Sequence, residues 1–246
     1  MATVSARSSA PLRNRLLAAL SPSDFALLQP HLEPMALPVK RDIERPNRRI
    51  ETICFMETGI ASVVAVQSDE TEVEVGLIGC EGMTGTAVVL SGDQSPHSTY
   101  VQVSGEAQRI AADELRKAMD ASASLRNLLL KFVQVFMVQT AHTAIANARC
   151  HIDQRLARWI LMAQDRTRSE TLALTHEFLA LMLGVRRAGV TEALQNLNRQ
   201  KLIDKRRNRS LCSTAKASSG WPEKLTARPK VSTDALLVRL PSLDPD

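Results

Sequence analysis

Aromatic residues are scarce: two Trp, one Tyr and five Phe in 246 residues, 3% of the chain. A platform for single-stranded nucleic acid stacks successive bases on several such rings, so this class of binder is excluded. Cysteine is sparse as well. Cys54, Cys80, Cys150 and Cys212 stand far apart with no Cys-x-x-Cys pair, whereas metal clamps and disulfide frameworks use short repeated spacings. They read as isolated reduced thiols. Cys150 and His151 adjoin, but neighbours on a helix point about 100° apart and share a metal poorly. No metal site and no cofactor are expected. No apolar run reads as a membrane span, and residues 1–10 lack the continuous apolar core of a signal peptide. The expectation is a cytoplasmic protein without membrane contact. Catalytic signatures are missing too. There is no Gly-x-Ser-x-Gly and no His-Glu-x-x-His, and His31, His97, His142, His151 and His176 are singletons. No catalytic residue is assigned and no enzyme activity is expected.

What the chain does have is a core and a localised charge. Hydrophobic residues make up 44%, enough to exclude wholesale disorder. The net charge is +5, and its distribution says more than its sum. Arg186, Arg187, Arg199, Lys201, Lys205, Arg206, Arg207 and Arg209 face only Glu192 and Asp204 in one short segment. That segment carries a net +6 and leaves the rest of the chain at −1. A nearly neutral protein with one basic segment has the charge layout of a polyanion binder with a local contact surface.

Residues 14–32 read as two short helices, the second capped by Ser21 with Pro22 in its first turn and Asp24 near its positive end. From residue 35 to 110 the period changes to two. Val73, Val75 and Leu77 alternate with Glu72, Glu74 and Gly76, and Val101 and Val103 with Gln102 and Ser104, as in half-buried strands. Pro46-Asn47, Ser68-Asp69 and Ser91-Gly92-Asp93 mark turns between them. An antiparallel barrel or roll follows. Gly76, Gly79, Gly82 and Gly85 recur at every third residue but match no phosphate-loop pattern. They read as a turn leaving a strand, with a ligand cradle as the alternative.

Residues 124–149 form a long helical pattern. Leu125, Leu128, Phe132, Val135, Gln139, His142 and Ala146 follow alternating steps of three and four, the spacing of a coiled-coil seam. Leu129, Val133, Phe136 and Met137 widen the band, and a helix apolar on two sides wants two neighbours. One is expected to be its own domain and the other a second subunit. Gln139 and His142 fix register, sense protons, or mark where the seam becomes wet.

Residues 175–196 meet the packing demands of a helix-turn-helix. Ala180 is small where two helices cross closely, and Gly184 permits the left-handed turn between them. Leu179, Leu183, Val185, Val190 and Ala193 fall at inward positions, leaving Arg186, Arg187, Thr191, Glu192 and Gln195 on the outer face. That face suits a major groove, where Arg reads guanine and Glu accepts from cytosine. Lys205, Arg206, Arg207 and Arg209 just beyond suit phosphate contacts from a wing.

With Gly59-Ile-Ala-Ser-Val-Val64, Glu72-Val-Glu-Val-Gly-Leu-Ile-Gly79, Glu81-Gly-Met-Thr-Gly85 and Val101-Gln-Val-Ser-Gly105 added, the chain resembles the Crp/Fnr superfamily of bacterial regulators over residues 14–209. The resemblance implies an α+β fold. Its parts are an N-terminal antiparallel β-roll (a double-stranded β-helix, cyclic-nucleotide-binding-like) at 14–120, a dimerisation helix at 121–149 and a winged helix-turn-helix at 150–209. It further implies a homodimer on a palindromic operator in double-stranded DNA, with RNA polymerase as a further candidate partner. Arg187 becomes the principal base reader, with Ala188 and Glu192 on the same face and Thr175 and Gly189 in the same contact set. The cyclic-AMP receptor branch has Glu at the position of Ala188 and Arg at that of Glu192, so its operator does not transfer.

The sensor departs from the family pattern as well. Cyclic-nucleotide binders hold the ribose with a Gly-Glu pair and the phosphate with an Arg-Ser pair. Gly82, Met83, Thr84 and Gly85 include no such Glu, and no Arg stands around Ser95, Pro96 and His97. Without its charge-assisted fork an anionic cyclic phosphate binds poorly. Cyclic AMP is not expected as the ligand, and Gly82, Met83, Thr84, Gly85, Ser95 and His97 form the candidate pocket for an unidentified effector. The N-terminal cysteine cluster of iron–sulfur oxygen sensors is also missing.

Residues 210–246 do not continue the family pattern. Members follow the basic turn with a strand resembling Ile-Thr-Val-Leu-Asp-Arg; here the text is Ser-Leu-Cys-Ser-Thr-Ala, followed by Pro222, Pro229, Pro241 and Pro245. Written TCA-CTG-TGC-TCG-ACC-GCC and begun one nucleotide earlier on an A, those codons read Ile-Thr-Val-Leu-Asp-Arg. The expectation is a frameshift near residues 205–209 and a poorly ordered tail. The alternative function that follows is an effector-binding module whose DNA binding is impaired by loss of the wing.

Overall fold

The computed structural model describes residues 12–66, 72–167, 172 and 174–203. The expected wing residues Lys205, Arg206, Arg207 and Arg209, and the expected tail at 210–246, lie outside the described residues.

Two short helices open the fold. In α1 (Arg15–Ala18) the side chain of Asn14 accepts from the Leu17 amide, and in α2 (Pro22–Leu28) Ser21 accepts from the Asp24 amide, as its sequence predicts. Seven strands follow: β1 (Glu33–Leu37), β2 (Asp42–Glu44), β3 (Thr52–Met56), β4 (Ile60–Val66), β5 (Glu72–Ile78), β6 (Ser98–Val103) and β7 (Gly105–Ala111). They form two antiparallel sheets, ordered β1-β7-β3 and β2-β6-β4-β5. Leu37, Cys54, Met56, Ala61, Val63, Ile78, Val101 and Ala107 fill the space between them. At two of the expected turns Asn47 and Ser91 take positive φ, 55° and 67°, while Ser68 and Asp69 lie outside the described residues. A short helix α3 (Thr86–Val89) interrupts the roll.

The predicted alternation holds only in part. Past the bulge opposite Val63 and Val64 it is Leu77 that packs against the C-terminal helices, while Ile78 turns between the sheets. Glu74 belongs to the face read as solvent-facing, yet it is buried, and Gly76 and Gln102 are buried as well. The reason is tertiary: helices from the C-terminal part of the chain lie over the outer face of β4 and β5.

After α4 (Ala112–Ala121), Ser122 caps α5 (Ala123–Arg149), which ends where Cys150 turns extended. Leu125, Leu129, Phe132, Val133, Gln139 and Ala146 are buried in its own protomer. Four of the expected seam residues, Leu125, Phe132, Gln139 and Ala146, are thus buried within the protomer, while Leu128, Val135 and His142 are half-buried beside them. Phe132 closes over Gly82, and the Gln139 amide donates to the carbonyl of Leu77 at 3.0 Å. The exposed track runs elsewhere: Leu130, Gln134, Met137, Ala141, Ala144 and Ala148, again at steps of four and three. The expected seam residues largely meet the protomer's own domain, because a helix with two apolar faces does not say from spacing alone which one does so. One further correction concerns length. This helix, with mean hydropathy 1.3 over an 18-residue window, is long and apolar enough to cross a membrane by length and composition, contrary to the reading that no run is.

The glycine series is also explained by packing. Only Gly85 has a positive φ, 74°. At Gly76, Gly79 and Gly82 an added Cβ would come within 2.7 Å of Phe136, Arg166 and Phe132 respectively. Helices rest directly on this backbone, so close approach rather than unusual dihedrals explains three of the four.

Candidate nucleic-acid interface

The C-terminal unit consists of α6 (Ile152–Thr167), α7 (His176–Leu183) and α8 (Arg187–Arg199). Its core joins Leu156, Trp159, Ile160, Leu174, Leu179, Leu183, Val190, Ala193 and Leu197, and it runs on without a break into Ile60 and Leu77 of the β-roll. Thr175 caps α7, its hydroxyl accepting from the Phe178 amide at 3.2 Å. Gly184 ends the helix in the left-handed region at φ 60°, where an L side chain is strained. The Val185 amide then bonds back to the Ala180 carbonyl at 3.0 Å. Arg155 of α6 donates to the carbonyl of Leu183, one of the acceptors a helix end leaves unsatisfied. These contacts set the angle between α7 and α8.

On α8, Val190, Ala193, Leu194 and Leu197 point into the core. Arg186, Arg187, Ala188, Glu192 and Gln195 are all exposed and share the opposite face. Thr191 is half-buried; its hydroxyl donates to the Arg187 carbonyl at 3.1 Å and lies 2.9 Å from His176 Nδ1. Gly189 faces inward instead, since an added Cβ would stand 3.1 Å from Ile152 of α6. Two residues outside the sequence-based set belong here. His176 ties the first turn of α7 to α8, and Glu177 pairs with Arg187. Glu177 sits in the acidic-favouring first turn of a helix, but pairing across two helices has no sequence spacing to reveal it.

The six candidate effector residues divide. Gly82, Met83, Thr84 and Gly85 are buried. Met83 joins the core, Thr84 Oγ1 accepts from the Cys54 amide at 3.0 Å, and the Gly85 amide donates to Glu44. Burial pushes the Glu44 carboxyl up against the lowering effect of the bonds from Gly85, Thr99 and Thr84. Ser95 and His97 are half-buried in the following loop and bond to each other, the His97 amide donating to Ser95 Oγ at 3.1 Å. Among the described residues no group of three or more His, Cys, Asp or Glu is placed to hold a metal ion.

Residues 154–215 match the family of Crp-like helix-turn-helix domains. No curated protein matches the sequence. Among solved structures, the c-di-GMP-responsive global regulator CLP of Xanthomonas campestris superposes with a TM-score of 0.63 at 16% identity, covering 78% of this chain and 99% of its own. A Crp/Fnr-family transcriptional regulator of Eubacterium rectale gives 0.65 at 16% identity, covering 86% and 97%. FixK2 of Bradyrhizobium japonicum gives 0.61 at 14%, covering 74% and 92%. The first two are regulators. Residues 154–215 are thus similar to Crp-like helix-turn-helix domains, and the chain shares its fold with solved regulators, one of them of the Crp/Fnr family.

Proposed function

We propose that the protein acts in the cytoplasm as a homodimer that reads a palindromic operator, with Arg187 as its principal base contact and an effector other than cyclic AMP. The observation that carries this reading is the division of α8: four apolar residues buried on one side, and Arg186, Arg187, Ala188, Glu192 and Gln195 exposed together on the other. A face of this composition can form bidentate contacts to base edges, while arginines beside it neutralise phosphate. The second copy is expected on the exposed track of α5, where Leu130 and Met137 are 37% and 64% exposed, with Ile145 at its edge 57% exposed. A two-fold axis along that helix would present two reading helices to successive major grooves.

Two features support a ligand other than cyclic AMP. The ribose and phosphate groups of the family pattern are missing, and Gly82, Met83, Thr84 and Gly85 are closed over by Phe132 and Ile53. RNA polymerase is a further candidate partner. The test is a binding titration of the full chain on genomic fragments at fixed salt, followed by footprinting. A protected palindrome lost in Arg187→Ala supports the reading. Binding that is equal on all sequences and indifferent to Arg187 overturns it.

A further inference from the structure

Strand β5 carries Glu74 on the outer face of its sheet, the side that meets water in an antiparallel sheet covered on one face only. Here α6 and α7 lie over it, and Glu74 is 6% exposed. Three donors from three elements converge on its carboxylate: Ser62 Oγ of β4 at 2.5 Å, Gln102 Nε2 of β6 at 3.2 Å and the indole Nε1 of Trp159 of α6 at 2.8 Å. Trp159 meets Phe178 of α7 edge-on with ring centroids 5.8 Å apart, and Met182 of α7 lies 3.6 Å from the same Ser62 hydroxyl. Both helices that support the reading helix are therefore gathered around one acid. A second tie stands beside it. Arg166 of α6 pairs with Glu81 at 2.7 Å, donates to Gln139 of α5 at 2.6 Å, and lies over Gly79.

We propose that Glu74 is a proton-operated latch that fastens the DNA-binding unit to the β-roll, closed when its carboxyl carries a proton and loosened when it is ionised.

The charged and titratable groups around Glu74 leave its negative charge poorly compensated. From α6, Arg166 is engaged by Glu81, and Arg158, attracted by Glu74 without a hydrogen bond to it, directs one nitrogen to Thr143 while its Nε and Nη2 find no partner. From β6 comes Tyr100, whose buried hydroxyl has no partner, and from β5 itself comes Glu72. Phe178 and Met182 of α7 and Ser62 of β4 bring no charge. A buried carboxylate without a contacting cation is costly. Burial accordingly pushes the Glu74 carboxyl up to about 7, against the three hydrogen bonds and the attraction of Arg166. The neighbourhood also suits the neutral acid. Gln102 Oε1 is buried without a partner, and turning that amide over presents this oxygen to the carboxyl proton while Ser62 and Trp159 go on donating.

The direction follows from linkage. Lifting α6 and α7 returns Glu74 to water and to its ordinary carboxylate range, so the closed state binds the proton more tightly. Closure is complete below that range, weakens as pH rises through it to about 7, and is level above. Over that window the closing equilibrium changes by up to ~tenfold per pH unit. The consequence for DNA, a reading unit freed to adopt the spacing its site demands, rests on the proposed function. The latch itself does not.

The test reads Trp159 in the full chain carrying Trp221→Phe, which leaves it the sole indole. Between pH 5.5 and 8.5 its emission is expected to move to longer wavelength, with iodide quenching rising several-fold and levelling near pH 7. Hydrogen exchange across residues 152–167 should accelerate over the same range. Glu74→Gln, which keeps an acceptor for the indole and carries no charge, should stay blue-shifted throughout. Emission and exchange independent of pH in the Glu74 chain, or an unchanged transition in Glu74→Gln, overturn the latch. A transition without any change in DNA affinity supports the latch and overturns its link to DNA binding.

Discussion

Arg187 and Glu177 form an ion pair across the helix-turn-helix, Nη1 to Oε1 at 2.8 Å, with both side chains about two-thirds exposed. A pair this open to water contributes little, on the order of 0–1 kcal/mol, so a guanine edge can take the guanidinium from it at small cost. Glu177 then remains as a negative charge near the phosphates. Glu177→Gln should tighten binding to all sequences a few-fold at low salt. Arg187→Ala should weaken the specific site by roughly 1–3 kcal/mol and relax one base position. Titrations on specific and random duplexes at the same salt check both. An Arg187→Ala loss of equal size on the two duplexes means another residue reads the base.

The helix-turn-helix was legible because its constraints are local. Ala180, Gly184 and the inward Leu179, Leu183, Val190 and Ala193 stand at fixed offsets, and the structure keeps each in its role. The strands were legible through their period of two. What escaped is contact between distant parts of the chain. Glu74 reads as a solvent-facing residue because alternation cannot know that Trp159, 85 residues on, will cover it. The same limit holds for α5, where heptad steps fit either face of the helix and only the β-roll decides which one is buried in the protomer.

Gly82 lies beneath the ring of Phe132, and an added Cβ would stand 2.5 Å from that ring. Phe132 is 2% exposed and has little room to withdraw. Gly82→Ala should therefore destabilise the protein by about 1–3 kcal/mol through overpacking. Denaturant titration measures this, and pairing the change with Phe132→Leu should recover part of the loss. A fully additive double mutant would show that the two residues do not share this contact.

Thiol reactivity offers an independent check on the packing. Cys54 and Cys80 are buried at 1% and 4% exposure, and Cys150 is half-buried at the end of α5. Burial also pushes the Cys54 thiol up to about 11, against the bond from Thr84, which leaves almost no thiolate to react at neutral pH. With Cys212 replaced by Ser, a chromogenic disulfide reagent should titrate one thiol quickly in the native protein and three in denaturant. Rapid labelling of Cys54 would contradict the packing between the sheets.

The exposed track of α5 separates assembly from folding. Met137 is 64% exposed and Leu130 37%, with Gln134, Ala141, Ala144 and Ala148 between and beyond them on the same line. A charge placed on this line costs nothing in an isolated protomer, where water solvates it. In a dimer it would be buried without a counterion, a large penalty. Met137→Glu should therefore give a folded monomer with the wild-type unfolding midpoint extrapolated to low protein concentration. Phe132→Ala, on the opposite face and inside the core, should instead lower stability by about 3–5 kcal/mol. Light scattering at micromolar concentration, read beside denaturant titrations, distinguishes the two. A wild-type chain that scatters as a monomer, or a Met137→Glu chain that stays dimeric, would mean that the second copy docks elsewhere.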